Sequence, residues 1–168
     1  MKRFFFTNSY FSGIRVGIQA GHSCDKMWAE AVSEYFNDPE SETAKEELLA
    51  MVGFVEDYGT WIVLSAGDDE DLRELVRFLN SGNNPYPFSE FEEPGVNDAM
   101  TSICMILPER MYDAVAEKVG DALHEAEEKG TAWENEIDQK TLPDAENRGY
   151  SEWELDFLFR KAQFHLAA

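Results

Sequence analysis

The chain has 168 residues, 43% of them apolar and 13% aromatic, and it carries 34 acidic side chains against 14 lysines and arginines, a formal charge of −20. That length suits one domain with a real core and room for an appendage, and the apolar content excludes global disorder. No run of about 18 apolar residues exists, which excludes an ordinary membrane span. The charge is uneven: residues 1–30 hold Lys2, Arg3, Arg15 and Lys26 against Asp25 and Glu30, and the acidic excess lies downstream. So negative a chain repels bulk nucleic acid, whose phosphates supply most of such affinity, unless those early residues form a local basic patch. The plainest use of an acidic surface is solubility. Phe4–Phe6 after Lys2 and Arg3 imitates a secretory signal, but Thr7, Asn8 and Ser9 interrupt the apolar run too early. Cys24 and Cys104 are too few for a disulfide framework and read as buried thiols in a reducing compartment, so cytoplasm is the expected location.

In chain order, Phe4–Phe11 reads as a first strand, with Asn8 and Ser9 near its end placed to face a site. A helix runs from about Gly13 to Asn37, where Asp38-Pro39 breaks it. A second helix starts after Thr43, with Thr43 and Glu46 as a capping box and Leu48, Leu49, Val52 and Val55 as its stripe; Tyr58-Gly59 closes it. Thr60–Ala66 is continuously apolar, as expected of an interior strand. Gly67-Asp68-Asp69 caps a third helix lined by Leu72, Leu75, Val76 and Leu79 and ended by Gly82. Tyr86–Phe91 is a third strand, residues 92–101 a loop, and Ser102–Leu107 a fourth strand. Pro108 opens a long helix reaching Lys129, lined by Met111, Ala114, Val115, Val119 and Leu123, before Gly130. Residues 131–150 are polar and irregular. Ser151 and Glu154 cap a last helix to Ala168, whose aromatic residues belong to the core or to a docking surface. Strands separated by helices predict an α/β sheet covered on both faces, mixed because the two late strands lie close enough to pair antiparallel.

On the first helix Arg15, Gln19, His22 and Lys26 share one face. A second face, Gly17, Ala20, Gly21, Cys24, Trp28, Val32 and Tyr35, begins small and ends bulky. Small residues there bring the helix close to the sheet and leave the polar face at the strand's carboxyl end, where open α/β sheets usually bind ligands. No phosphate loop, dinucleotide fingerprint, nucleophile elbow or C-x-x-C is present. His22 has no His or Cys neighbour in sequence, so no metal is expected, and Asp68–Asp71 reads as helix capping.

The stretch Arg15-Val16-Gly17-Ile18-Gln19-Ala20-Gly21-His22-Ser23 resembles the K-x-x-x-Q-x-x-H-A pattern of the archaeal/eukaryotic-type peptidyl-tRNA hydrolases, the second and smaller of two unrelated hydrolase types. Thr60–Ala66, Asp68–Leu79, Glu93-Pro94-Gly95 and Ser102–Pro108 follow the same order of strand, acidic-capped helix, D-A-G-x-T-like loop and strand ending in proline. The likeness covers about residues 3–128. It implies a three-layer α/β/α fold with a four-stranded mixed sheet in the order 2-1-4-3, a domain over residues 1–130, and a C-terminal extension over 131–168 packed on it. It further implies hydrolysis of the ester joining a peptide or acyl group to tRNA. In that reading Glu93 orients water as base, Arg15 stabilises developing negative charge and Gln19 positions substrate. Thr101 or Ser102 supplies a strand-edge hydroxyl, while Asn8, His22 and Lys26 bind substrate. No metal or cofactor is implied. Arginine stands where the family has lysine, glutamate where it has aspartate, and Val96-Asn97 where it has the loop threonine. The alternative expectation is a non-catalytic acidic protein of the same fold that engages a basic protein partner as a nucleic-acid mimic. A homodimer through the last helix stays open in either case.

Overall fold

In the computed structural model, residues 1–56, 59–81 and 83–166 are described, and they fall into two compact units that divide at Leu107–Pro108. The first unit holds residues 1–107 together with a short strand at 165–166, and the second holds Pro108–Phe164. The long helix expected within a domain ending at residue 130 therefore groups with the C-terminal residues.

In the first unit the central strand is β1 (Lys2–Thr7). It pairs parallel with β2 (Thr60–Ser65) on one side and antiparallel with β4 (Ala99–Leu107) on the other. Strand β3 (Phe88–Glu93) runs antiparallel to β4. The four long strands thus take the expected order 2-1-4-3, with β4 as the strand of opposite direction, and β5 (His165–Leu166) adds two residues outside β2. β5 falls where the last helix was expected to continue.

β1 and β4 are the core because both of their faces are covered. On one face Phe5, Cys104 and Ile106 pack with Ala20, Cys24, Met27 and Ala31 of α1 (Ile14–Asn37) and Met51 of α2 (Glu42–Glu56). Strand alternation sends Phe4, Phe6, Ile103 and Met105 to the other face, and all four are buried. Helix α3 (Asp69–Leu79) packs along β4 and buries Leu72, Leu75 and Leu79, as its sequence stripe implied.

Several elements depart from expectation for local reasons. β1 stops at Thr7, because Asn8 turns the chain there. Helix α2 begins one residue before Thr43, and Ser41 Oγ accepts from the Ala44 N–H at 3.3 Å. Its buried residues are Ala44, Met51 and Phe54, whereas Leu49, Val52 and Val55 are exposed. A helix apolar on nearly every side offers no periodicity to choose a face, so packing chooses it. β2 is half-exposed, with Trp61 at 46%, since beyond it stands only the two-residue β5. The positions Tyr58 and Gly82, expected to close helices, lie outside the described residues, as do 167–168.

In the second unit Pro108 opens a short 3-10 turn at Glu109–Met111, not the helix itself. Helix α4 (Ala114–Lys129) starts after Asp113, whose carboxylate accepts from the Val115 and Ala116 N–H groups, and Gly130 ends it in the left-handed region. Ala114, expected on the packed side, is exposed; Ala116, Val119, Gly120, Ala122 and Ala126 are buried. Residues 131–150 are not irregular throughout, for α5 (Leu142–Arg148) forms within them. Helix α6 (Glu152–Ala162) has the expected capping box of Ser151 and Glu154, and its Trp153 and Phe157 are buried core residues. Arg148 holds Asp113 through two hydrogen bonds, at 2.6 and 2.9 Å, and Arg110 pairs with the buried Glu154. His124 meets the Phe159 carbonyl at 2.7 Å and stacks on its ring.

Gly120 is where α4 and α6 come closest. A Cβ there would sit 2.9 Å from the Leu158 carbonyl oxygen and 3.2 Å from the Ala162 methyl. Gly120→Val should therefore force the helices apart and destabilise the protein by about 1–3 kcal/mol, the range for overpacking a filled interior. Urea denaturation with an unchanged m-value checks this. An unshifted midpoint would mean that the contact is looser than the structure shows.

Candidate functional site

The expected site residues converge where β1 ends. Thr7 is the last residue of the strand, and Asn8 ties its exit. The Asn8 side-chain amide donates to the Met100 carbonyl at 3.1 Å, its side-chain oxygen accepts from the Tyr10 N–H at 2.9 Å, and its main-chain N–H donates to Thr101 O at 3.0 Å. A side-chain oxygen accepting from a backbone amide two residues on is an Asx turn, which substitutes for ladder pairing and stops the strand. Asn8 is thus engaged in the fold. Gly13, at φ 57°, then turns the chain into α1, a conformation glycine adopts without cost.

Helix α1 is rotated from the expected orientation. Its buried residues are Val16, Gln19, Ala20, Ser23, Cys24, Met27 and Ala31. Gly17 and Gly21 face outward, since a Cβ at either would meet nothing within 4 Å. The small residues that face the sheet are Ala20, Ser23 and Cys24. The rotation buries Gln19, at 5% exposure, between α1 and the sheet.

Gln19 is the hub. Its Nε2 donates to Glu93 Oε2 at 3.1 Å, its Oε1 accepts from Thr101 Oγ1 at 2.7 Å, and its main-chain carbonyl accepts from Ser102 Oγ at 2.7 Å. Thr101 also reaches the Phe91 carbonyl at 3.2 Å. Successive residues of a strand point to opposite faces, so two hydroxyls on one helical residue need local twist. The pairing of β3 and β4 shifts register between Phe91 and Glu92 at this level. Glu93 Oε1 accepts from the Gly95 N–H at 3.2 Å, closing the 3-10 turn at Pro94–Val96. Hydrogen bonds from Gln19 and from Gly95 hold the Glu93 carboxyl below its ordinary range, with a further contribution from His22.

Arg15 lies one turn before Gln19, exposed, and among the described residues its guanidinium has no partner. Phe11, Arg15, Ile18, Gln19, Glu93, Gly95 and Val96 line one cleft of about 290 Å³. Of the four residues expected on a common face, Arg15 and Gln19 reach this cleft. His22 stacks on Phe91, ring centroids 4.8 Å apart, and Lys26 donates to the Glu90 carbonyl at 2.8 Å beside Glu30 and Glu90. Those two run along β3.

A clamp that sequence reasoning did not single out holds the β3–β4 turn. Asp69 accepts from the Met100 N–H at 2.5 Å and from Arg73, and Arg73 reaches on to Glu92 and to the Asp98 carbonyl. The Met100 amide first, and Arg73 second, lower the Asp69 carboxyl. The Asp69–Arg73 spacing, four residues apart on a helix, was the available signal. A larger hollow of about 410 Å³ opens among α1, α2 and the chain before β3. Its acidic lining is Glu30, Glu34 and Glu47, and burial followed by the charges of Glu34 and Glu30 pushes Glu47 up. Without a cation or a positioned base–donor pair, it lacks the chemistry gathered around Gln19.

Among the described residues, no group of His, Cys, Asp and Glu is arranged to hold a metal, and no helix is long and apolar enough to cross a membrane. No protein-family model, curated protein or solved structure significantly matches the chain.

Because Gln19 is the first cause of Glu93's lowered titration, Gln19→Leu should move that titration back up toward the ordinary carboxylate range. Side-chain carboxyl NMR against pH reads it directly. The sign fixes the stability consequence as well. Glu93's contribution is complete above the ordinary range and is lost as pH falls through the lowered value, so the variant should narrow the stability difference between neutral and acidic solution. An unmoved Glu93 titration would show that the carboxylate is held by other groups.

Proposed function

We propose that the first unit is a divergent peptidyl-tRNA hydrolase-like centre that hydrolyses the ester between a peptide or acyl group and the terminal ribose of tRNA. The observation that carries the reading is a carboxylate locked by two donors, Gln19 and Gly95, in one cleft with Arg15, which has no partner among the described residues. Ester hydrolysis needs an acceptor that orients water and a donor for the oxyanion that forms at the carbonyl. Glu93, ionised at neutral pH, takes the first role. Water adds to the acyl carbon, the carbon–oxygen bond to the ribose breaks, and the water's proton ends on the departing ribose oxygen. Arg15, free to turn into the cleft, takes the second role, and Gln19 fixes the angle of Glu93. The hydroxyls of Thr101 and Ser102 are spent on Gln19 and act as positioning groups.

A second reading rests on a different observation. Among the described residues, nine lysines and arginines, including Lys26, Arg73 and Lys129, sit in ion pairs with carboxylates, so much of the positive charge is already engaged. Within residues 1–30, Arg3 is buried and Lys26 is paired. That surplus of acid suits a basic protein partner.

Release of N-blocked amino acid from acyl-tRNA by the purified chain separates the two. Turnover that falls about 100-fold in both Glu93→Gln and Arg15→Ala supports the hydrolase, as removal of a base or of an oxyanion donor predicts. The rate should be level through neutral pH and fall only below the ordinary carboxylate range, since Glu93 is held ionised. No release at micromolar protein, or equal rates in all three proteins, would sink this reading and leave the acidic surface as the functional feature.

A further inference from the structure

The other end of the α1 contact with the sheet holds a second chemical arrangement, independent of the cleft. Arg3 of β1 is 2% exposed, and its Nη1 lies 2.8 Å from Cys24 Sγ. The guanidinium stacks 4.2 Å over the Phe54 ring, and its Nε and Nη2 have no hydrogen-bond partner. Among the described residues no carboxylate pairs with it. A buried guanidinium without a counter-charge is costly, and the nearest group able to supply one is the Cys24 sulfur.

Cys104 of β4 is fully buried and packs in the same core cluster as Cys24, and its Sγ lies 3.6 Å from the Met27 sulfur. Proton placement follows from the surroundings. The neighbouring Cys104 thiol is the largest influence on Cys24, and with Arg3 it outweighs burial and the opposing charge of Asp25, bringing the Cys24 thiol down to about 7. Burial pushes Cys104 well up, so it keeps its proton, and its Sγ donates to the Met27 sulfur. From α2 the apolar Met51 and Phe54 join this site.

We propose that Cys24 and Cys104 are a buried dithiol pair that closes to an intrachain disulfide under hydroperoxide, with Cys24 as nucleophile, Arg3 as its counter-ion and Cys104 as the resolving thiol. In the first step the Cys24 thiolate attacks one peroxide oxygen. A sulfur–oxygen bond forms, the oxygen–oxygen bond breaks, and hydroxide leaves; sulfur is oxidised to sulfenic acid and peroxide is reduced. In the second step Cys104 gives up its proton and its sulfur attacks Cys24, the sulfur–oxygen bond breaks, and the departing hydroxide with that proton makes water. The product ties α1 covalently to β4.

Intact-mass and non-reducing peptide analysis of the reduced full chain, treated with hydrogen peroxide, tests this. The expected result is loss of two hydrogens and one cross-linked peptide joining residues 24 and 104. Cys104→Ser should instead accumulate a dimedone-reactive sulfenic acid at Cys24, and Cys24→Ser should show neither product. Alkylation of Cys24 in the folded protein should rise with a midpoint of about 7, well over tenfold faster at neutral pH than for an ordinary thiol. The proposal is overturned if both thiols survive peroxide and alkylate on unfolding, if the disulfide forms only between chains, or if the alkylation midpoint stands above about 8.5.

Discussion

A buried carboxamide must place all of its polar atoms, and the side chain of Gln19 does so by binding the end of β3 and the start of β4 to α1. Its two side-chain atoms take Thr101 of β4 and Glu93 at the end of β3, while its own carbonyl takes Ser102. Leaving any of these atoms dry and unpaired would cost about 1–3 kcal/mol, comparable with a sizeable share of a domain's whole stability. The rotation of α1, the depth at which it sits and the position of the β3–β4 turn all follow from meeting that demand. The cleft beside Gln19 is therefore as rigid as the core. The Asp69–Arg73 clamp reaches the same turn from α3, so Glu93 is fixed from two elements at once.

One helix serves two chemistries because the residues it turns to the sheet change along its length. Near its start a buried amide faces a carboxylate and two hydroxyls. About one and a half turns later Cys24 faces a buried cation and a second thiol. Ala20 and Ser23 separate them, small enough to let the backbone lie close, and Ser23 spends its hydroxyl on the Ala20 carbonyl of the preceding turn. The two arrangements share α1 and β4, so a covalent tie at one of them restrains the other.

The sheet and most of its helices were readable because apolar runs such as Phe4–Phe6 and Ile103–Leu107 permit little else than buried strands, and because Asp68, Gly130 and Ser151 mark helix ends by mechanism. The rotation of α1 was not readable. Its sequence alternates small and polar residues so evenly that glycines expected at the sheet point outward, while a glutamine expected outward is buried. Arg15, Gln19 and Glu93 were grouped by the family resemblance and not by local pattern, and the three line one cleft. Asn8 and Lys26 are occupied by backbone carbonyls, contacts that depend on strand pairing 64 to 92 residues away and leave no trace in local pattern. Cys24 and Cys104 read only as buried thiols because nothing in the spacing revealed that Arg3 lies beside Cys24.

Strand β3 ends the sheet, paired on one side with β4. Its sequence, FSEFEE, places Glu90, Glu92 and Glu93 along that border, and the register shift after Phe91 bends it. Charge and bend are what keep an open strand from recruiting a strand of another molecule. Replacing the carboxylates would remove the charge but not the open backbone. Self-association of a chain without them would therefore begin at β3, edge against edge, while the interior stayed folded.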